Sequence, residues 1–117
     1  MLAGDTAVTA TNAQRGPAMI TCCIQYTLDP HEIAAFEEYA TRWPPLIERC
    51  GGRLVGYYLP KEGATNFALA LIDFDSLAHY EQYRARLAAD PDARRNVADV
   101  AEARAILAES RSFLRRV

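Results

Sequence analysis

The stretch WPPLIERCGGRLVGYYLP, residues 43–60, decides the fold because a helical pattern changes there into a strand pattern. Before the two glycines, apolar residues recur every three or four positions, which is typical of a helix with one buried face. After them, Arg53–Pro60 is rich in branched and aromatic residues and predicts a strand. A phosphate-binding glycine loop has the opposite order, with the strand before the helix. The sequence therefore predicts that Gly51 or Gly52 ends a helix in the left-handed conformation.

The chain on either side of this stretch predicts further strands and helices. In chain order the predicted elements are a strand over Met19–Leu28, a helix from Asp29-Pro30, the strand over Arg53–Pro60, a strand over Asn66–Phe74, a helix capped by Asp75 or Ser76, a short helix from Asp90-Pro91 and a strand from about Ile106. Pro44-Pro45 lies inside the first helical pattern and predicts a kink or a fresh start there. The order β-α-β-β-α-(α)-β predicts an α+β fold of the ferredoxin-like type, βαββαβ, in which helices cover one face of a four-stranded antiparallel sheet.

The strand over Asn66–Phe74 is apolar on both faces, which is unusual for a sheet that has helices on one side only. Its two faces are Phe67, Leu69 and Leu71 on one side and Ala68, Ala70, Ile72 and Phe74 on the other. One face packs on the helices, and the other would be a large exposed apolar patch on a monomer. We therefore expect a homodimer in which two sheets pack face to face around a two-fold axis.

The length and charge of the chain limit the classes of function. The 117 residues fit one domain, which we expect over residues 19–117, after a flexible N-terminal leader over residues 1–18. A net charge of −2 gives no reason to expect a nucleic-acid partner, and the apolar runs are too short for a membrane span. Three cysteines without disulfide spacing favour a reducing compartment, so we expect a cytoplasmic protein.

Several segments, taken in order, resemble the NIPSNAP family. They are YTLDP at 26–30, GGRLVGYYLP at 51–60, Asn66, DFDSLAHYEQYRARLAADPDA at 73–93 and ILAESRSFLRRV at 106–117. The similarity covers residues 19–117 and implies a dimeric α+β barrel, in the superfamily that also holds cofactor-independent antibiotic-biosynthesis monooxygenases and haem-degrading enzymes. The chain departs from the family pattern at Cys22 and Ile24, where the first strand often carries charged residues. We therefore expect no charged site on that strand.

Aromatic and polar residues on or beside the predicted inner faces are candidates for a ligand site. The resemblance implies a cleft between sheet and helices, and the candidate contacts there are Tyr26, Phe36, Trp43, Tyr58, Asn66 and Asp73. We expect Tyr58 and Asn66 to hydrogen-bond a ligand oxygen, and Asp73 is a candidate acid–base group. Aromatic residues of this kind also form ordinary cores, in which each buried polar atom has a partner. The sequence leaves both interpretations, pocket and core, open.

Histidine and cysteine positions predict no metal ion and no cofactor. His31 and His79 lack the spacing of a metal site, and an axial haem ligand at His79 is a weaker alternative. Cys50 lies at a helix C-terminus, which disfavours a thiolate, so we expect a packed thiol. The function we expect is binding of a small organic ligand in an apolar cleft. The alternatives are a cofactor-independent monooxygenase-type enzyme acting on an aromatic or polyketide-like substrate, and a non-catalytic binding or scaffolding module.

Overall fold

Residues 19–117 are described by the structure, which is a computed structural model. Their elements follow the predicted order: β1 (Ile20–Leu28), α1 (Ile33–Cys50), β2 (Arg53–Tyr58), β3 (Phe67–Phe74), α2 (Leu77–Ala89), α3 (Pro91–Ala103) and β4 (Ile106–Leu114). The short third helix and the strand from Ile106 are both confirmed. The predicted leader, residues 1–18, lies outside the described residues, so the domain boundary stays a prediction.

The strands of residues 19–117 form one antiparallel sheet in the order β2-β3-β1-β4. The central strand β1 alternates between buried and more exposed residues, and its buried residues are Cys22, Ile24, Tyr26 and Leu28. The register with β3 places Ala68, Ala70, Ile72 and Phe74 beside them, and these are buried as well. The helices cover this face of the sheet. The architecture is therefore the predicted ferredoxin-like α+β fold.

A bulge in the edge strand β2 changes which tyrosine points toward the helices. The register with β3 shifts between Leu54 and Gly56, so Val55 is an extra residue in β2. Because side chains alternate along a strand, an extra residue reverses the facing of everything beyond it. Tyr57 consequently shares the helix-facing side with Leu54, and Tyr58 points to the outer face.

The other edge strand, β4, contains a second bulge with the same effect. In the register with β1, Leu28 pairs with Ile106 and the preceding Thr27 pairs with Ala108. Leu107 therefore has no partner in β1 and is the extra residue. Beyond this bulge, Glu109 and Arg111 lie opposite buried residues of β1 and share their helix-facing side. Strict alternation from Ile106 would have placed these two charged residues on the outer face.

Helix α1 begins later than predicted. The Oδ1 atom of Asp29 accepts a hydrogen bond from the backbone N–H of His31 at 2.9 Å, so this carboxylate closes a turn instead of capping the helix. The first helical residue is Ile33. The helix then runs through Pro44-Pro45 without a fresh start, so that alternative is wrong and the kink stays a prediction. Buried side chains on both sides of the prolines hold the helix against the sheet.

Helix α1 ends at the predicted glycine. Gly51 has a φ of 112°, and its N–H donates to the carbonyls of Ile47 and Glu48 at 3.1 and 3.2 Å. In the last turn, Arg49 donates two hydrogen bonds, at 2.8 and 2.9 Å, to Asp90, the residue that caps α3. These bonds lower the pKa of the Asp90 carboxyl. They also join the end of α1 to the start of α3.

The outer face of the sheet, away from the helices, carries exposed apolar side chains. Tyr58, Phe67 and Leu114 are 50%, 47% and 49% exposed. Leu69 and Leu71 lie between them and are half-buried. None of the described helices is long and apolar enough to span a membrane.

Candidate ligand cavity

A cavity of about 430 Å³ lies between the helix-facing side of the sheet and the helices. Every described strand and helix contributes to its wall. The aromatic residues of the wall are Tyr26, Tyr39, Trp43, Tyr57, Tyr80 and Tyr83, and the charged residues are Arg84, Arg94, Glu109 and Arg111. Sites for small molecules have volumes of about 300–1,000 Å³. The cavity therefore has the size of a ligand site, and the whole fold builds it.

Tyr26 lies at the centre of an aromatic cluster. Its ring meets Phe36 edge-on, with centroids 4.9 Å apart, and stacks with Tyr57 at 6.3 Å. The hydroxyl oxygens of Tyr26 and Tyr57 are 3.4 Å apart, within hydrogen-bond reach. On α1, Tyr39 and Trp43 continue the cluster with centroids 5.6 Å apart. The cluster gives the cavity a wall of rings with polar groups at defined points.

The phenols of the cluster stay neutral at physiological pH. Burial raises the pKa of Tyr26, and the neighbouring phenol of Tyr57 adds to the rise. Burial also raises the pKa of Tyr57 and of Tyr83. For Tyr39 burial again raises the pKa, and the nearby indole of Trp43 offsets part of the rise. A neutral phenol donates and accepts hydrogen bonds, so these groups can orient a ligand but do not supply a base.

The indole N–H of Trp43 is a buried donor without an acceptor at hydrogen-bond geometry in the part of the chain that the structure describes. The side chain is 5% exposed, and leaving a buried donor unpaired costs about 1–3 kcal/mol. Trp43 is also the single tryptophan of the sequence. Spectroscopic signals from its indole therefore report on the cavity wall alone.

Strand β4 supplies the charged pair of the cavity. The Nη2 atom of Arg111 donates to Oε2 of Glu109 at 2.7 Å. Burial lowers the pKa of Arg111, but its hydrogen bonds with Glu109 and Tyr80 outweigh that effect and raise it, so the guanidinium stays charged. Cys22 and Ile24 of β1 line the wall as apolar residues. Among the strands of the wall, β4 and not β1 therefore supplies the charged residues.

Tyr80 links the charged residues of β4 to α2. Its hydroxyl oxygen accepts a hydrogen bond from Nη1 of Arg84 at 2.8 Å and another from Nη1 of Arg111 at 2.9 Å. The Arg84 guanidinium also lies over the Tyr80 ring, 5.8 Å from its centroid. Two positive charges thus meet at one hydroxyl oxygen on the cavity wall.

Three of the six predicted ligand residues lie at or behind this wall. Tyr26 and Trp43 line the cavity. Phe36 is fully buried one layer behind, against the ring of Tyr26. Contact between these residues and a ligand stays a prediction.

Tyr58 and Asn66 lie outside the cavity. The bulge in β2 turns Tyr58 to the outer face, so its expected inward position is wrong, and Tyr57 occupies that position instead. Asn66 is exposed just before β3, where its backbone carbonyl accepts a hydrogen bond from the N–H of Leu28 at 2.7 Å. Neither side chain is placed to bond a ligand oxygen in the cavity.

Asp73 lies on the outer face of the sheet, on the opposite side from the cavity. It is 9% exposed, and its Oδ1 atom accepts a hydrogen bond from the Thr21 hydroxyl at 2.6 Å. Its Oδ2 atom lies 3.9 Å from Nη2 of Arg116. This carboxylate is held by a local polar contact and cannot act on a molecule inside the cavity.

The histidine and cysteine candidates also lie away from ligand chemistry. His79 is exposed, with Nδ1 3.4 Å from a carboxylate oxygen of Asp75, and does not line the cavity, so its position does not support the haem alternative. Among residues 19–117, no group of three or more histidine, cysteine or acidic side chains is arranged to hold a metal ion. Cys50 is buried, and burial raises the pKa of its thiol. This matches the packed thiol expected from its place at the helix end.

Wall residues that are absent from the six predicted candidates include Tyr39, Tyr57, Arg94, Glu109 and Arg111. Tyr39 follows the helical spacing of the apolar stripe of α1, so a signal for it was present. Tyr57, Glu109 and Arg111 reach the wall only because of the two bulges. Alternation of residue types does not reveal a bulge, and the sequence offered no other signal for these three.

The fold and the cavity define a class of protein: a ferredoxin-like α+β domain with a cavity of ligand size between sheet and helices. A family model described as NIPSNAP matches residues 22–117. The chain therefore belongs to the NIPSNAP family, as the resemblance implied. Comparison with curated proteins gives no match.

Solved structures share this fold at low sequence identity. An uncharacterised NIPSNAP-like domain protein from Burkholderia xenovorans is 24% identical with a TM-score of 0.73, over 87% of this chain and 88% of that one. SnoaB, a cofactor-independent oxygenase from Streptomyces nogalater, is 14% identical with a TM-score of 0.61, over 86% and 94%. A dimeric protein of unknown function and ferredoxin-like fold from Bacteroides fragilis is 14% identical with a TM-score of 0.59, over 85% and 97%.

Proposed function

We propose that the protein binds a small organic molecule in the cavity between sheet and helices. The observation that carries this proposal is the cavity itself, about 430 Å³ with phenols, an indole and charged side chains converging on it. A packed core contains few voids larger than a water molecule, so this volume argues against the interpretation of these aromatic residues as core alone. Small-molecule sites combine an apolar wall with a few polar groups that fix orientation, as this wall does.

The aromatic wall favours a flat ligand. The rings of Tyr26 and Tyr57 stack, and their hydroxyls lie 3.4 Å apart, so both can hydrogen-bond one polar atom of a bound ring system. Trp43 and Tyr39, set at 87° to each other, offer a face and an edge for packing. Each is a rigid group that loses little side-chain freedom when a ligand binds.

Mass spectrometry of small molecules that copurify with the native protein tests this proposal. Ala88 lines the cavity and its neighbour Ala89 does not, although both are exposed on α2. Ala88→Phe should fill part of the cavity and reduce the copurifying molecule, and the matched control Ala89→Phe should retain it. Equal retention by both variants, or no copurifying molecule with the wild type, would contradict the proposal.

A second candidate is cofactor-independent oxygenation of an aromatic or polyketide-like substrate. Glu109 supports it, because this carboxylate lies on the cavity wall beside the cationic Arg111 and can accept a proton while the guanidinium stabilises the developing anion. The likeness in fold to the oxygenase SnoaB adds support. In such a reaction, dioxygen and a substrate methylene would give a carbonyl group and water.

Oxygen uptake with 1,8-dihydroxyanthrone as the probe tests this second candidate. The wild type should consume one dioxygen for each methylene oxidised, and Glu109→Gln should slow the reaction strongly because the proton acceptor is lost. Uptake no faster than in buffer would eliminate the oxygenase without affecting the binding proposal.

We also propose that two copies pack through the outer face of the sheet. Tyr58, Phe67 and Leu114 are about half exposed there, and Leu69 and Leu71 extend the apolar surface between them. An apolar face of this extent is unusual on a monomer, and a second copy around a two-fold axis would cover it. The similar Bacteroides fragilis protein is described as dimeric, which supports a dimer.

We propose that the protein is cytoplasmic, and the state of its thiols supports this location. Cys22, Cys23 and Cys50 are all free. Free thiols are typical of reducing compartments. Fractionation of native cells, with recovery in the soluble cytoplasmic fraction, is the expected outcome, and recovery in an extracellular fraction would contradict it.

A further inference from the structure

Positive charge exceeds negative charge on the cavity wall. Among the described residues, Arg84, Arg94 and Arg111 line the cavity together with a single acidic residue, Glu109. Glu109 is paired with Arg111 at 2.7 Å. Within residues 19–117, Arg84 and Arg94 form no ion pair with a carboxylate. The wall therefore holds two cations that no acidic side chain of the described chain neutralises.

The fold provides acidic partners to arginines at other places. Arg42 pairs with Asp99 at 2.9 Å, and Arg49 pairs with Asp90 at 2.7 Å. These pairs join α1 to α3. Arg84, on α2, and Arg94, on α3, form no such bridge to a carboxylate of another element within residues 19–117. A structural role in joining helices therefore does not account for their charge.

Two of the cavity cations are held close together. Arg84 and Arg111 both donate to the hydroxyl oxygen of Tyr80, at 2.8 and 2.9 Å, so their guanidinium groups meet at one atom. Like charges at this separation repel, and although Glu109 compensates the charge of Arg111, the neutral Tyr80 oxygen compensates that of Arg84 only in part. An anion placed beside them would be attracted to both.

We infer that the ligand is an organic acid whose carboxylate binds beside Arg84 and Arg94, while its ring system packs on the wall formed by Tyr57 and Trp43. This inference rests on the proposed function and adds the chemical class of the ligand. A guanidinium matches a carboxylate with two parallel hydrogen bonds, so arginines on α2 and α3 suit this group well. Both arginines are exposed, so the attraction falls as ionic strength rises.

Calorimetric titration with 1-naphthoate and 1-naphthamide tests the inference on the full chain. The two probes share the ring system and differ in charge. We expect the wild type to bind 1-naphthoate about tenfold more tightly than 1-naphthamide, from charge-assisted hydrogen bonds. The difference should shrink as sodium chloride increases, because salt screens exposed charges.

Arg94 and Arg95 provide a matched pair of variants on α3. Both are exposed and form no ion pair with the described residues 19–117, but only Arg94 lines the cavity. Arg94→Gln should weaken 1-naphthoate binding about fivefold and leave 1-naphthamide binding unchanged. Arg95→Gln should change neither. Because both side chains are exposed, neither substitution removes buried packing, and folding can be checked by circular dichroism.

The possible outcomes separate this inference from the proposed function. Equal affinity for the two probes would contradict the inference that the ligand is an organic acid. It would leave the proposed small-molecule site in place. Equal loss of 1-naphthoate binding in both arginine variants would overturn the assignment of Arg94. No binding of either probe at millimolar concentration would overturn the site and the inference together.

Discussion

Tyr26, Tyr39, Tyr57 and Tyr83 all line the cavity, and burial raises the pKa of each phenol. In the unfolded chain a phenol ionises near pH 10. The folded-state pKa is thus above the unfolded value, so the stability that these neutral phenols contribute is complete below about pH 10 and is lost as the pH rises above it. The cavity that we propose as a ligand site is therefore also sensitive to alkali.

Absorbance at 295 nm during an alkaline titration measures this property of the four phenols. We expect them to ionise only when the chain unfolds, so the last part of the absorbance change should coincide with loss of the far-ultraviolet circular dichroism signal. Ionisation of all six tyrosines near pH 10, with the folded signal intact, would show that the four phenols are not buried as described.

At the scale of single elements, the sequence predicts the fold better than the site. Helices and strands follow from periodicity, and the glycine stop at Gly51 and the cap at Asp90 follow from local chemistry. The inner wall depends on two extra residues, Val55 and Leu107. A pattern of residue types gives no position for a bulge, because hydrogen bonding with the neighbouring strand determines it. The predicted pocket therefore included Tyr58 and omitted Tyr57.

Tyr57 and Tyr58 allow a direct test of the bulge in β2. Both lose only a hydroxyl in a change to phenylalanine, but Tyr57 faces the cavity and Tyr58 faces outward. Tyr57→Phe should weaken binding of 4-hydroxy-1-naphthoate, whose ring hydroxyl can pair with the Tyr57 phenol, about two- to tenfold, the usual range for one hydrogen bond. Tyr58→Phe should leave it unchanged. If calorimetry showed weaker binding for Tyr58→Phe and unchanged binding for Tyr57→Phe, Tyr58 and not Tyr57 would line the cavity, and the bulge would be contradicted.

At the scale of the whole molecule, we expect a second copy of the chain to cover the outer face of the sheet. The outer surface of the helix layer should stay in contact with solvent. Leu69 lies in the middle of the outer face, and Leu77, at the start of α2, is an exposed apolar residue of the helix layer. Sedimentation velocity should give a dimer for the wild type and a monomer for Leu69→Arg, because a charge would be buried in the interface. Leu77→Arg, the control, should remain dimeric. A monomeric wild type at micromolar concentration would contradict the dimer.

The cavity is, on our proposal, a site for a small organic molecule, and Trp43 allows the most direct test. Trp43 lines the cavity and is the single tryptophan, so a ¹H–¹⁵N correlation spectrum contains one indole signal. Titration with 1-naphthoate should move this signal in a saturable way, and Ala88→Phe should reduce the movement at a given probe concentration. An indole signal that stays fixed while backbone signals of the outer sheet face move would contradict the account, because the probe would then bind the exposed apolar surface and not the cavity.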